Sequence, residues 1–240
     1  MTNGMYKTDK VIQTVNGRSY EITVTRKNVK RMTLRIDRQG KPCLSVPLNA
    51  ARGEIEDFLR SCSGWLARNA GQRSFFSLPD ALRDGDEVMI LGENRRKSLV
   101  SGPKASLSFR EGRPVLAMRG PDDPMKAASA YEKALTDLAL DVFRRRLAIY
   151  ADVIPKRFGV PEIRIRKMTS RWGSANQKTR EIHLSLYLIK TPLECIDSVV
   201  LHEAVHFTHM DHGDGFYDML LRRMPDYKQR SRKLKEYARH

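Results

Sequence analysis

Apolar and polar residues alternate along several segments in the first half of the chain, with the period of two that a half-buried β-strand requires. Residues 19–25 place their apolar side chains on one face, and the same alternation recurs in residues 32–36 and 43–46. Residues 38–42 include glycine and proline and predict a turn that joins the last two strands as a hairpin. Four further strands are expected at residues 87–91, 97–100, 106–109 and 114–118.

Apolar residues at helical spacing predict two helices. Asn49 fits the N-cap of the first, which continues to about residue 69. Residues 119–124 read Arg-Gly-Pro-Asp-Asp-Pro and interrupt the pattern, and a long helix is then expected over residues 125–158, ending at Gly159. Two strands follow at residues 163–167 and 181–187, and residues 170–176 form the turn between them.

These patterns predict an α+β protein with a division near residue 120. The first part, residues 1–120, is β-rich, and the second, residues 121–240, combines a small sheet with helices packed on it. A chain of 240 residues is long enough to form a hydrophobic core without disulfides.

The strongest helix signals surround residues 191–207. Thr191, Pro192 and Glu194 match a capping box with proline at the first helical position. The apolar residues that follow recur at helical spacing and predict one buried stripe. They are Ile196, Val199, Val200, Ala204 and Phe207.

This helix carries the sequence His202-Glu203-Ala-Val-His206. Two histidines at positions i and i+4 lie on one helix face about 6 Å apart, so both imidazoles can reach one metal ion at about 2 Å. Glu203 lies about 100° around the helix, a position that suits a general base acting on water rather than a ligand. His212 follows six residues after His206, and Gly213 and Gly215 beside it allow the chain to turn back, so that His212 can be the third ligand. The fourth position then stays open to water, as in catalytic zinc sites.

The alternative interpretation is that His202 and His206 are polar residues on a partly exposed helix face. His209 is also close, and it is interpreted as a surface histidine. Asp211 could accept a hydrogen bond from a ligand imidazole and orient it.

The net charge of +16 is spread over both halves. Residues 1–120 carry 22 basic and 12 acidic side chains, and residues 121–240 carry 22 and 16. Such a surface favours polyanions and allows proximity to nucleic acid, although no nucleic-acid-binding motif is present. The oligomeric state stays open.

Cysteine usage and hydropathy bear on the location of the protein. The three cysteines are far apart and indicate reduced thiols. No apolar run reaches the roughly 20 residues of a membrane span, and residues 1–10 are too polar for a secretory signal. A cytoplasmic protein with no membrane partner is expected.

Residues 170–174 read Ser-Arg-Trp-Gly-Ser, residues 196–203 read Ile-Asp-Ser-Val-Val-Leu-His-Glu, residues 216–217 read Phe-Tyr, and residues 225–228 read Pro-Asp-Tyr-Lys. In these segments residues 168–230 resemble the YgjP-like metallopeptidases, which are related to the SprT-like zinc proteases. The chain departs from the usual family residues at three positions, with Ala175 for cysteine, Asp211 for asparagine and Gly213 for serine.

The resemblance implies a compact zincin-like catalytic domain with one Zn²⁺ per chain on His202, His206 and His212, and Glu203 as base. The expected activity is hydrolysis of a protein or peptide. Two alternatives remain, a zinc hydrolase of a non-peptide substrate such as a nucleotide, and a non-catalytic module that binds nucleic acid or protein. Candidate substrate-binding side chains, chosen by position, are Arg171, Tyr187 and Tyr217. The strand expected at residues 181–187 could pair with an extended peptide by strand addition.

Overall fold

The computed structural model describes residues 8–37, 40–70 and 75–237. The first two residues of the turn expected at residues 38–42, and most of the polar segment at residues 1–10, lie outside the described residues. The chain forms two compact units, which divide between Ser77 and Leu78. The division precedes the expected boundary near residue 120, because Val88, Ile90 and Leu116 belong to the hydrophobic core of the second unit.

The first unit is a four-stranded sheet with two helices. The strand order is β1-β2-β4-β3, in which only β2 and β4 are parallel, and the antiparallel β3–β4 pair confirms the expected hairpin strands. Ile22, Val46 and Leu59 are fully buried in its core. The elements are β1 (Thr8–Val15), β2 (Arg18–Lys27), β3 (Thr33–Ile36), β4 (Pro42–Pro47), α1 (Arg52–Ser61) and α2 (Ser63–Asn69).

The second unit contains three small sheets. A two-stranded hairpin is formed by β5 (Glu87–Ile90) and β6 (Glu93–Arg96). A three-stranded sheet in the order β7-β9-β8 is formed by β7 (Ser98–Ser101), β8 (Ser106–Arg110) and β9 (Arg113–Met118). A third sheet in the order β10-β12-β11 is formed by β10 (Glu162–Arg166), β11 (Gly173–Asn176) and β12 (Glu181–Ser185).

Helices and short 3₁₀ segments complete the second unit, which confirms the α+β class. The α-helices are α3 (Pro124–Ile149), α4 (Leu193–Val205), α5 (Asp214–Arg223) and α6 (Tyr227–Tyr237). The 3₁₀ segments are Ala151–Val153, Lys156–Phe158 and Leu186–Lys190. None of the helices in the described part of the chain is long and apolar enough to cross a membrane.

Helix α4 lies at the centre of this unit and contacts α3, α5, α6 and β11. The sequence predicted a single apolar stripe, whereas ten of the thirteen residues are buried. One of the buried residues is Asp197, which accepts two hydrogen bonds from the guanidinium of Arg146 on α3, at 2.6 and 2.7 Å. Arg230 on α6 approaches the same carboxylate at 3.7 Å. The ion pair holds α4 in place between its neighbours.

The expected first helix is divided at Cys62 into α1 and α2. The hydroxyls of Ser61 and Ser63 donate to backbone carbonyls three residues earlier, at 2.7 Å each, and so compete with helical hydrogen bonding. The N-cap of α1 is Ala51 rather than Asn49, and its backbone N–H donates to the carboxylate of Glu54.

Three other boundaries differ from the sequence-based expectation. Helix α3 ends at Ile149, and Pro155, which has no N–H, prevents a regular helix from running on to residue 158. Helix α4 begins at Leu193 without a side-chain cap, because the hydroxyl of Thr191 donates to the carbonyl of Leu188 instead. Strand β12 ends at Ser185, so that residues 186 and 187 lie in a 3₁₀ segment.

Candidate metal centre

The three histidines of the motif come together where α4 ends. His202 lies in the last turn of α4, His206 is its C-cap residue, and His212 lies in the loop before α5. One ring nitrogen from each lies within 4.8 Å of the other two. The Nε2 atoms of His202 and His212 are 3.1 Å apart, close to the roughly 3.3 Å that separates two nitrogen ligands of a tetrahedral zinc ion.

The remaining ring nitrogens of two histidines are held by hydrogen bonds. Nδ1 of His206 donates to the backbone carbonyl of His209 at 3.0 Å, which leaves Nε2 as the unprotonated nitrogen that a metal requires. Nδ1 of His202 is hydrogen-bonded to the hydroxyl of Tyr227 on α6, at 2.9 Å.

Burial and the neighbouring imidazoles lower the pKa of His202 from 6.5 to about 4. The side chain is therefore neutral at pH 7, which is the form that binds metal. Together with the fixed tautomer of His206, this makes the donor set suitable for a divalent metal ion of the zinc type.

Phe216 on α5 forms an apolar floor beneath the cluster. It is fully buried, and its ring centroid lies 4.9 Å from that of His202, 4.8 Å from that of His206 and 4.7 Å from that of His212. Close packing against this buried ring restricts the orientations that the three imidazoles can adopt.

The Glu203 carboxylate is buried beside the histidines and rests on β11. Only 5 % of the residue is exposed, and the backbone N–H of Ala175 donates to the carboxylate. A Cβ atom added to Gly173 would lie only 2.6 Å from Oε1 of Glu203. The carboxylate therefore occupies the space that the missing side chain of Gly173 leaves.

Burial raises the pKa of Glu203 from 4.5 to about 8, whereas the positive charge of Arg171 and the Ala175 hydrogen bond act in the opposite direction. A divalent cation on the histidines would add a larger positive charge and favour the carboxylate anion. A carboxyl group with this environment has the proton affinity that a general base needs near neutral pH.

Strand β11 borders the cluster and forms one edge of its sheet. Among the described residues it pairs only with β12, and the N–H of Ala175 points to Glu203 rather than to that partner. The sequence assigned the 181–187 strand as the one that could pair with an extended peptide. That strand, β12, lies between β10 and β11 and is paired on both sides, so it cannot accept a further strand, and the edge strand beside the cluster is β11.

The candidate substrate-binding residues fall in different environments. Arg171 is exposed and lies close enough to Glu203 to affect its pKa. Tyr217 on α5 is 40 % exposed, and its ring centroid lies 6.5 Å from that of His212. Tyr187 is only 2 % exposed, in the 3₁₀ segment after β12. It is too buried to contact a substrate in this structure.

Asp211 is exposed, and within the described ranges it makes no hydrogen bond to any of the three imidazoles. The orienting partners are instead Tyr227 and the carbonyl of His209. The imidazole of His209, interpreted as a surface group, is half-buried and packs against Gly215, where an added Cβ would lie 2.9 Å from Cε1.

Sequence reasoning gave no role to three residues that shape this site. Gly173 and Tyr227 lie inside the segments that carry the family resemblance. The resemblance therefore marked these two positions, but it did not indicate what either residue does. Phe216 was noted only as part of the same resemblance, and nothing in its spacing indicated contact with three histidines.

A three-histidine cluster beside a buried carboxylate, at the end of a central helix over a small sheet, defines the class as a candidate metallohydrolase. The family model for the YgjP-like metallopeptidase domain matches residues 30–237. The chain therefore belongs to the YgjP-like metallopeptidase family, which confirms the resemblance. No curated protein and no solved structure shows significant similarity to it.

Proposed function

We propose that this protein is a zinc peptidase in which His202, His206 and His212 hold one Zn²⁺ and Glu203 is the general base. The observation that carries the proposal is the convergence of the three imidazole nitrogens within 4.8 Å, next to a carboxylate from the same helix. Three imidazole ligands suit zinc, and a three-ligand site leaves a position for water or substrate.

A zinc ion held by His202, His206 and His212 would supply Lewis acidity toward a water molecule and the scissile carbonyl. Glu203 accepts the proton of the attacking water and returns it to the leaving amine. The Ala175 N–H keeps the carboxylate aimed at this position, and the apolar contact with Gly173 excludes bulk water from its inner side.

The outer edge of β11, apart from the Ala175 N–H that is hydrogen-bonded to Glu203, suits a substrate bound as an additional strand. Backbone hydrogen bonds from an edge strand hold an extended peptide without demanding a particular sequence. Arg171 and Tyr217 are exposed near the base and the ligands, so we assign them contacts with the substrate. Hydrolysis of a peptide bond is favoured over a nucleotide reaction because an edge strand binds peptides by their backbone.

All of these residues lie within residues 121–240 of the second unit, and we propose that this part of the chain carries the catalytic centre. We also propose a cytoplasmic location, which rests on the free state of Cys43, Cys62 and Cys195. We further propose that the basic surface brings the protein close to nucleic acid. This proposal concerns where the protein acts and does not change the peptide bond as the proposed substrate.

The test is Glu203→Gln, which preserves shape and removes the base. We expect the variant to keep its zinc and to lose casein hydrolysis by a factor of about 10² to 10⁴. Glu194→Gln is the matched control, since it makes the same substitution in the first turn of α4, where the side chain pairs with Lys233 on the surface. A zinc-loaded Glu203→Gln protein with parental activity would overturn the assignment.

A further inference from the structure

A groove of about 590 Å³ lies between α5 and α6, and one of its lining residues, Tyr227, contacts the histidine cluster. Tyr227 lies in its wall and is hydrogen-bonded to Nδ1 of His202, and Tyr217 lies in the opposite wall near His212. A molecule that occupies the groove therefore approaches to within one side chain of two metal-binding residues.

The cations of α6 divide into two sets by their partners. Arg230 pairs with Asp226 at 2.8 Å and approaches Asp197, and Lys233 pairs with Glu194 at 2.7 Å. These side chains attach α6 to the rest of the second unit, so their positive charges are balanced by carboxylates of the protein itself.

The other set faces the groove. Lys228, Arg232 and Lys235 are separated by four and three residues, which places them on one face of α6 with Ser231 between them. Within the part of the chain that the structure describes, none of the three forms an ion pair or a side-chain hydrogen bond. No acidic side chain lines the groove, so the three positive charges have no counterpart from the protein.

We infer that this groove is a subsite for an acidic segment of the peptide substrate, with Lys228, Arg232 and Lys235 as the residues that determine the preference. The inference rests on the peptidase function proposed above. Complementary charge would come from glutamate or aspartate side chains of the substrate, and the tyrosine and Leu221 walls would contact their apolar parts.

The dimensions limit the length of the segment. Lys228 and Lys235 are seven residues apart on a helix that rises 1.5 Å per residue, a distance of about 10 Å. An extended peptide advances about 3.3 Å per residue, so the stripe spans about three substrate residues. A segment of about three acidic residues matches the length of this stripe.

The experiment measures binding separately from cleavage. A fluorescein-labelled peptide with three consecutive glutamates, and its counterpart with three glutamines, are titrated by anisotropy with the zinc-loaded Glu203→Gln protein, which does not consume them. The groove variant adds Lys228→Gln, Arg232→Gln and Lys235→Gln. We expect it to bind the acidic peptide about tenfold more weakly, since each exposed ion pair contributes roughly a factor of two to three.

A matched control removes the same charge from another place. A second groove of about 390 Å³ in the same unit is also basic. The control variant changes three of its cations that form no ion pair among the described residues, and these changes are Lys104→Gln, Arg119→Gln and Lys133→Gln. We expect the control to bind the acidic peptide as the Glu203→Gln protein does. Equal losses in the two triple variants would show that net charge is responsible and would overturn the inference.

Two further outcomes separate the inference from the proposed function. If the parent cleaves casein and the Glu203→Gln protein binds both peptides equally, the subsite is refuted and the peptidase function stands. If the groove variant loses acidic-peptide binding while the parent hydrolyses neither casein nor the peptide, the subsite stands and the peptidase function fails. A single-stranded oligonucleotide that binds through the groove more tightly than the acidic peptide would overturn the choice of ligand.

Discussion

Replacement of Gly173 by alanine is expected to displace the Glu203 carboxylate while the histidine cluster stays intact. An added Cβ would lie 2.6 Å from Oε1, 2.8 Å from Cγ and 2.9 Å from Cδ of Glu203. Ordinary contacts between such atoms begin near 3.5 Å, so the carboxylate must shift by about 0.6 to 0.9 Å. Gly173 does not have a positive φ, and alanine therefore introduces no backbone strain.

The size of the effect follows from the surroundings of Glu203. The residue is 5 % exposed, so the carboxylate has no free space that would absorb the shift without changing its direction. A displacement of about 1 Å at a reacting group lowers a rate by about 10². We expect Gly173→Ala to reduce kcat for peptide hydrolysis by that factor, with little change in KM and with a full complement of zinc.

The assay combines kcat from a quenched fluorescent peptide with zinc content from mass spectrometry. Gly53→Ala is the control, because Gly53 lies in α1 and an added Cβ there meets no atom within 4 Å. A Gly173→Ala protein with kcat within twofold of the parent would refute the argument. Loss of zinc together with activity would also contradict it, since the effect would then act on the histidines.

Three other predictions concern metal binding and stability. Tyr227→Phe removes the hydrogen bond to His202 and should weaken zinc affinity by about 10- to 100-fold, measured by competition with a chelating dye, and unchanged affinity would contradict the orienting role. Zinc at a hundred times its Kd should raise the free energy of unfolding by about 2.7 kcal/mol in urea titrations, and no increase would mean that the folded chain binds no zinc. Asp197→Ala leaves Arg146 without its partner and should lower that free energy by about 2 to 3 kcal/mol, with a smaller loss for Asp197→Asn. Equal losses in both Asp197 variants would contradict this account of the ion pair.

The sequence predicted the centre of the site well because its geometry is local. His202, Glu203 and His206 belong to one helix turn, where spacing alone determines which side chains share a face. His212 lies in the short loop after α4, so a single turn of the chain is enough to bring it beside His202 and His206.

The surroundings of the site depend on contacts that spacing does not encode. Tyr227 reaches His202 across 25 residues, because α6 packs on α4. Residues 173–176 read Gly-Ser-Ala-Asn, a sequence of low strand propensity, and they form β11 because β12 pairs with them. The edge strand was therefore assigned to the wrong segment.

Helix ends were the least predictable local feature. The Thr191 hydroxyl could cap α4 or donate to the carbonyl of Leu188. It donates to Leu188, because the 3₁₀ segment before α4 brings that carbonyl within reach. Tyr187 lies in the same 3₁₀ segment rather than in strand β12, and it is buried there. It therefore cannot make the substrate contact that the sequence suggested. Competition between two nearby acceptors cannot be read from residue type alone.

The most direct test of the central claim is the metal content of the purified protein beside that of a His202→Ala variant, by mass spectrometry. The account predicts about one zinc per chain in the parent and its loss in the variant, with the fold of both checked by circular dichroism. A folded parent that takes up no zinc when zinc is offered, or a His202→Ala protein that retains it, would contradict the account.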